Sequence, residues 1–136
     1  MRDPEEVCNW LQKAEEDFLG AVDLSRRRKH PLPDLVCFHC QQAAEKYLKA
    51  FLIFHEINFP KTHDLLLVTL LNDIEPQISF YRDWFDTLNA YSVQFRYPGD
   101  SVSQEEAVTA LKTVKSIRKL FLELIPPEIF DPNKDE

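Results

Sequence analysis

The chain has 136 residues, of which 44% are hydrophobic and 29% charged, and this mixture is typical of one soluble globular domain. Its net charge of -7 disfavours broad binding to polyanions, so any contact with RNA has to be local. The three cysteines are an odd number and do not indicate a disulfide framework. No apolar run approaches the roughly 20 residues that cross a bilayer, and the acidic N-terminus lacks a signal-peptide core. We therefore expect a cytoplasmic protein that does not enter a membrane.

Proline placement predicts an all-α protein. The nine prolines leave five proline-free stretches, and each can hold one helix because proline is excluded from helix interiors. The two glycines are too few for the turns of a sheet protein of this length. Short joints between the stretches favour antiparallel neighbours. We predict a five-helix up-and-down antiparallel bundle over residues 1–125, with helices in 5–30, 34–59, 61–75, 77–97 and 99–125, and an acidic tail over 126–136.

The first and last stretches carry the clearest helix signals, since both space their apolar residues by three and four. In the first, Asp3 is a candidate N-cap before Pro4, and Arg26–Lys29 are expected where cations complement the helix dipole. In the last, Ser103 and Glu106 have capping-box spacing.

The third and fourth stretches are predicted as shorter helices. The third begins at Thr62, although Leu65–Leu71 taken alone would also suit a strand. The fourth is expected to end at Arg96, because Pro98 biases Tyr97 away from helical backbone angles.

The second stretch is apolar on more than one side. Phe38 and Ile53 flank a polar strip that lies opposite its broad apolar face. Such a helix is either central in its bundle or covered by another chain, and we expect a homodimer that covers these two residues. The apolar face consists of Val36, Cys37, Cys40, Ala43, Ala44, Tyr47, Leu48, Phe51 and Phe54.

Polar residues of this stretch fall into two groups. Gln42, Lys46 and Lys49 share the strip, which is either a solvated face or a binding surface. Gln41 and Glu45 lie closer to the apolar face, so they need polar partners if a neighbouring helix covers them.

Four segments, taken in order, carry a resemblance to a known family. They are Trp10–Asp17, Cys40–Ala50 (CQQAAEKYLKA), His63–Leu65 and Phe95–Pro98 (FRYP). Over roughly residues 8 to 124 the chain resembles the HEPN domain family, of the stand-alone prokaryotic type.

The resemblance implies a compact helical bundle that is usually paired through its helices. Such proteins are often encoded beside a minimal nucleotidyltransferase, sometimes as toxin–antitoxin pairs, and are proposed to bind nucleotides. We therefore expect a noncatalytic nucleotide-binding or partner-binding module that acts with a minimal nucleotidyltransferase, without metal or cofactor. The alternatives are a metal-independent toxin-like ribonuclease and a purely structural interaction module.

Ribonuclease branches of the family depend on an arginine and a following histidine with four to six residues between them. Here only three residues separate Arg26 from His30, and no histidine follows Arg96. The sequence therefore departs from the ribonuclease pattern.

The predicted nucleotide-binding residues are Gln42, Lys46, Lys49, His63, Arg96 and Tyr97. Arg96 offers a planar fork for phosphate oxygens and Tyr97 a ring for stacking on a base, or Arg96 pairs with Glu45 and only closes the bundle. His63 can bind an anion at the start of the third helix, or only support its cap beside Thr62.

Two further motifs have plain structural interpretations. Cys37 and Cys40 form a C-x-x-C, but on a helix both thiols lie on the apolar face while His39 points away, which favours buried hydrophobic residues over a zinc site. The basic run Arg26–Lys29 either complements a helix end or contacts RNA phosphates or an acidic partner.

Overall fold

The computed structural model describes residues 3–71, 81–92 and 99–133, and within these ranges the chain is helical with no strand. The all-α prediction is confirmed, but the count of five α-helices is wrong: the described residues form four, and a 3₁₀ helix occupies the third position. The elements are α1 (Pro4–Ser25), α2 (Pro33–Phe54), the 3₁₀ helix (Leu65–Leu71), α3 (Arg82–Asn89) and α4 (Gln104–Leu124).

The third predicted helix is a 3₁₀ helix because its apolar residues suit that geometry. Leu65, Val68 and Leu71 are at most 2% exposed and lie three residues apart. A 3₁₀ helix has three residues per turn, so this spacing puts all three on one edge that faces the core. The alternative of a strand over Leu65–Leu71 is also wrong, and residues 72–80 lie outside the described part.

The fourth predicted helix is shorter than expected. α3 ends at Asn89, not at Arg96, and residues 90–92 are not helical. The Asn89 side chain accepts a hydrogen bond from the Leu65 amide at 2.8 Å and donates one to Asp64 Oδ1 at 3.0 Å. The end of α3 is thereby fastened to the start of the 3₁₀ helix.

The predicted starts of the first and last helices are confirmed, whereas the third element begins at Leu65 and not at the predicted Thr62. Asp3 accepts a hydrogen bond from the Glu5 amide at 3.0 Å, and Ser103 and Glu106 form a complete capping box at the start of α4. α1, however, ends at Ser25, so the placement of Arg26–Lys29 in its last turn is wrong. After Ser25, the backbone amides of Arg26 and Arg27 donate hydrogen bonds to carbonyl oxygens three residues earlier in the chain. The four basic residues Arg26–Lys29 are exposed in the connection to α2.

α2 is the central element of the described residues. Fourteen of its 22 residues are buried, and it packs against α1, α4, α3 and the 3₁₀ helix. Phe38 and Ile53 are only partly exposed, so most of the apolar girth of α2 is covered by its own chain. The apolar surface of α2 therefore no longer requires a second chain to cover it, and the homodimer stays a prediction.

Other parts of the chain complete the core. Ile129 and Phe130 of the C-terminal tail fold back and pack against it. Among the described helices, none has the length and apolar character needed to cross a membrane.

Candidate functional site

A row of polar side chains is buried along α2. Gln41, Glu45 and Lys49 are 0%, 2% and 6% exposed, and their spacing of four residues places them on one side of the helix. A buried polar group is costly unless it is hydrogen-bonded, so these side chains need partners from other elements. The sequence had indicated such partners for Gln41 and Glu45.

The partner of Glu45 from outside α2 is His63. His63 Nδ1 lies 2.7 Å from Glu45 Oε1, and the His63 side chain is 70% exposed whereas that of Glu45 is 3% exposed. An ionised carboxylate can only accept hydrogen bonds, so Nδ1 carries the proton in this pair. The other ring nitrogen, Nε2, is therefore the atom that His63 offers to a ligand.

The backbone around His63 is held as firmly as its ring. Gln41 Nε2 donates a hydrogen bond to the His63 carbonyl oxygen at 2.9 Å. Gln42 Nε2 in turn donates to Gln41 Oε1 at 2.7 Å, which orients the Gln41 amide. Two neighbouring glutamines and one glutamate thus position a single exposed histidine, and Gln42 acts through Gln41.

Lys49 lies beneath this site and not on an open strip. Its Nζ is 3.3 Å from Glu45 Oε2 and sits 5.5 Å and 5.9 Å from the ring centroids of Trp10 and Phe59. A carboxylate and two aromatic faces stabilise the buried ammonium group. Lys49 therefore balances the charge of Glu45 from within the core.

Lys46 belongs to a different cluster. It forms an ion pair with Asp17 Oδ2 of α1, and His39 Nδ1 lies 2.9 Å from the other oxygen of the same carboxylate. The predicted strip of Gln42, Lys46 and Lys49 is thus divided between two clusters: Gln42 and Lys49 join the His63 network, and Lys46 contacts α1.

Arg96 and Tyr97 lie outside the described residues, and so does any ion pair between Arg96 and Glu45. Within the described residues, Glu45 is paired with His63 and Lys49.

A third charged cluster joins α1, α2 and α4. Arg118 makes a bidentate contact with Glu15 through Nε at 2.6 Å and Nη2 at 2.7 Å, and the Tyr47 hydroxyl donates to the same carboxylate. These hydrogen bonds raise the pKa of the Arg118 guanidinium. Burial first, and the hydrogen bond to Glu15 second, raise the pKa of Tyr47 well above its ordinary value. This cluster is closed and structural, and it was not predicted.

The cysteine motif has the predicted placement. Cys37 and Cys40 are fully buried, and burial, followed by the proximity of Cys37, raises the pKa of the Cys40 thiol to about 12. His39 faces Asp17 and not the thiols. No cluster of three or more His, Cys, Asp or Glu side chains able to hold a metal occurs in the described ranges.

In the clusters around Glu45 and Lys46, three partners were missed: Trp10, Asp17 and Phe59. Trp10 and Asp17 lie seven residues, about two helical turns, apart on α1, so they share one face of the helix. This spacing could have predicted that both contact the same neighbouring helix. Phe59 lies in the joint after α2, where no periodicity exists to indicate its direction.

The family comparison agrees with this architecture. The family model described as "HEPN domain" matches residues 7–125, which is most of the chain. Comparison with curated proteins and with solved structures gives no match. The chain belongs to the HEPN domain family.

Proposed function

We propose that this chain is a nucleotide-binding HEPN module that works, as a homodimer, with a minimal nucleotidyltransferase. Family membership supports the general class, and the observation that carries the proposal is the buried Glu45 that holds the exposed His63 ring at 2.7 Å. The buried Glu45 holds the His63 ring and the buried Gln41 holds its carbonyl oxygen, while the side chain itself is 70% exposed, so His63 is prepared for contact with a ligand.

The chemistry of this arrangement suits a phosphate group. Glu45 accepts the hydrogen bond from Nδ1, so Nε2 is the ring nitrogen that faces outward, and a protonated ring donates its Nε2–H to a phosphate oxygen there. The two neighbours of His63, Thr62 and Asp64, line an open cleft of about 480 Å³. This volume falls within the range of small-molecule sites, roughly 300 to 1,000 Å³.

Calorimetric titration of the full chain with ATP, GTP, CTP and UTP tests the proposal. We expect at least one nucleotide to release heat, and His63→Ala to weaken its binding by about tenfold, as expected for one lost charge-assisted hydrogen bond. Arg96→Ala reports in the same way on the predicted arginine. Lys61→Ala is the matched control, because it removes an exposed cation two residues from His63 without touching Glu45. Absence of heat with all four nucleotides, or equal losses in the Lys61 and His63 variants, contradicts the proposal.

The same pair of residues favours a second candidate, a metal-independent ribonuclease. A carboxylate that orients a histidine through Nδ1, with Nε2 exposed, is the arrangement of a general base and its positioning group. In this role Nε2 would take the proton of a ribose 2′-hydroxyl as its oxygen attacks the adjacent phosphorus; the P–O5′ bond would break, a 2′,3′-cyclic phosphate would form, and the leaving 5′-oxygen would take a proton from water. The missing arginine–histidine motif places this candidate second.

Incubation of single-stranded RNA with the protein in EDTA decides between the two. Ribonuclease activity predicts cleavage that His63→Ala abolishes and that Glu45→Gln slows, while Lys61→Ala stays active. Intact RNA at high protein concentration eliminates this candidate and leaves nucleotide binding unaffected.

A further inference from the structure

An apolar groove lies beside the beginning of α2. It is lined by the end of α1, the start of α2 and the first half of α4, and its volume is about 230 Å³. Leu24, Leu32, Val36 and Leu111 contribute apolar walls, and Val108 on the rim is 53% exposed. An exposed valine beside a recess is the arrangement in which an apolar side chain of another molecule gains contact.

The groove has a fixed shape. Asp34, in the first turn of α2, accepts a hydrogen bond from the Val102 amide at 2.8 Å and so ties the approach to α4 onto α2. Two prolines, Pro31 and Pro33, stiffen the connection on the other side. A preformed recess binds with less loss of conformational entropy than one that must be ordered first.

Two cations line this groove and four more lie in the adjoining connection, although the chain as a whole has a net charge of -7. Lys112 and Lys115 line it directly, and the exposed run Arg26–Lys29 connects its α1 and α2 walls. Among the described residues, none of these six side chains forms an ion pair with a carboxylate, whereas Lys46, Lys49 and Arg118 all do. The basic charge is therefore available to an outside molecule.

The size of the groove decides which kind of molecule fits. Its volume lies below the roughly 300 Å³ at which small-molecule sites begin, so it admits one or two apolar side chains and not a whole ligand. The surrounding cations then require acidic residues next to those apolar anchors. A nucleic acid would use the cations but leave the apolar recess unoccupied.

The chain's own acidic segment is already engaged elsewhere. The C-terminal tail packs Ile129 and Phe130 against the core, in a recess that Cys8 and Gln12 also line. We propose that the groove between α1, α2 and α4 docks an acidic segment of a different protein, which inserts apolar side chains beside Val108 and pairs its carboxylates with Lys112, Lys115 and Arg26–Lys29. This proposal does not depend on nucleotide binding at His63.

Selection of random short peptides displayed on phage against the full chain tests it, followed by fluorescence anisotropy of the selected peptides. We expect the selected sequences to be acidic and to contain large apolar residues. Val108→Glu should weaken their binding by about tenfold, since it places a like charge at the apolar anchor. Lys112→Glu should weaken it several-fold, and more strongly at low salt.

Two matched variants control for fold and net charge. Leu19→Glu alters another exposed apolar residue, 56% accessible on α1, and Lys119→Glu alters a cation two turns further along α4. Both should change binding by less than about twofold. Failure to select acidic peptides, or equal losses in the Val108 and Leu19 variants, overturns the proposal. So does a single-stranded RNA that binds more tightly than any peptide and is indifferent to Val108→Glu.

Discussion

The ion pair between Glu15 and Arg118 is the contact whose loss should cost the most stability among the charged clusters. Glu15→Gln keeps the shape of the side chain but removes the charge that accepts two hydrogen bonds from Arg118 and one from Tyr47. The Glu15 side chain is 14% exposed and that of Arg118 is 30% exposed, so water replaces the lost partner only on one side.

The magnitude follows from the number and kind of bonds. Hydrogen bonds to charged groups contribute about 1.5 to 3 kcal/mol each, and breaking a buried pair costs about 3 to 5 kcal/mol. Partial exposure of Arg118 lowers this cost, and the glutamine oxygen retains part of the bonding. We expect Glu15→Gln to lower the free energy of unfolding by about 2 to 3 kcal/mol.

Urea unfolding measures this loss as a decrease of the midpoint by about 1 to 2 M. Glu16→Gln is the matched control, because Glu16 pairs with Lys13 on the surface, where the two side chains are 70% and 68% exposed. Such a pair contributes at most about 1 kcal/mol, so the control should shift the midpoint little. Equal effects of the two substitutions would refute the view that burial makes the Glu15 pair strong.

Four further predictions rest on one or two residues each. Glu56 follows α2 with a φ of 59°, a left-handed conformation that glycine adopts without strain. Glu56→Gly should therefore raise the free energy of unfolding, measured in urea, by about 0.5 to 1 kcal/mol. A loss of stability would contradict this. A thiol reagent at pH 8 should modify the partly exposed Cys8 rapidly and Cys40 only on unfolding. Burial raises the pKa of the folded Cys40 thiol to about 12, whereas its pKa in the unfolded chain is 9.0. The stability that the buried neutral thiol contributes is therefore complete below pH 9.0 and should be lost as the pH rises from there to about 12. Cys40→Ala should flatten that decline. Asp34→Ala should cost about 1 kcal/mol in thermal unfolding, since the Val102 amide loses its acceptor.

The all-α fold class and the starts of α1 and α4 could be predicted from the sequence because they depend on local chemistry. Asp3 and Ser103 cap their helices within three residues of themselves, so no distant information is needed. The ends of α1 and α3 are different in kind. At the end of α3, Asn89 contacts Asp64 and Leu65, which lie 25 and 24 residues earlier, and no local pattern records such a contact.

In the candidate site too, the sequence predicts what local chemistry decides and misses what distant contacts decide. Periodicity placed Gln41 and Glu45 at the edge of the apolar face, and their need for partners followed from the cost of burying polar groups. That His63 is the partner depends on the path of the chain between α2 and the 3₁₀ helix, which contains no repeat. Lys46 was grouped with Gln42 because one helix was considered alone, whereas Asp17 of a second helix decides its direction.

Three charged clusters hold α1 and α2 in one register. Glu15 with Arg118 and Tyr47, Asp17 with Lys46, and Trp10 with Lys49 all connect α1 to its neighbours at points spread along its length. Apolar packing is non-directional and would tolerate a slide of α1 by one turn, about 5.4 Å, whereas that slide would separate every one of these partners. A shifted α1 would also take the Trp10 ring away from Lys49 and so disturb the charge balance of Glu45. Because Glu45 holds the His63 ring by a hydrogen bond, the geometry of the candidate site also depends on contacts made by α1.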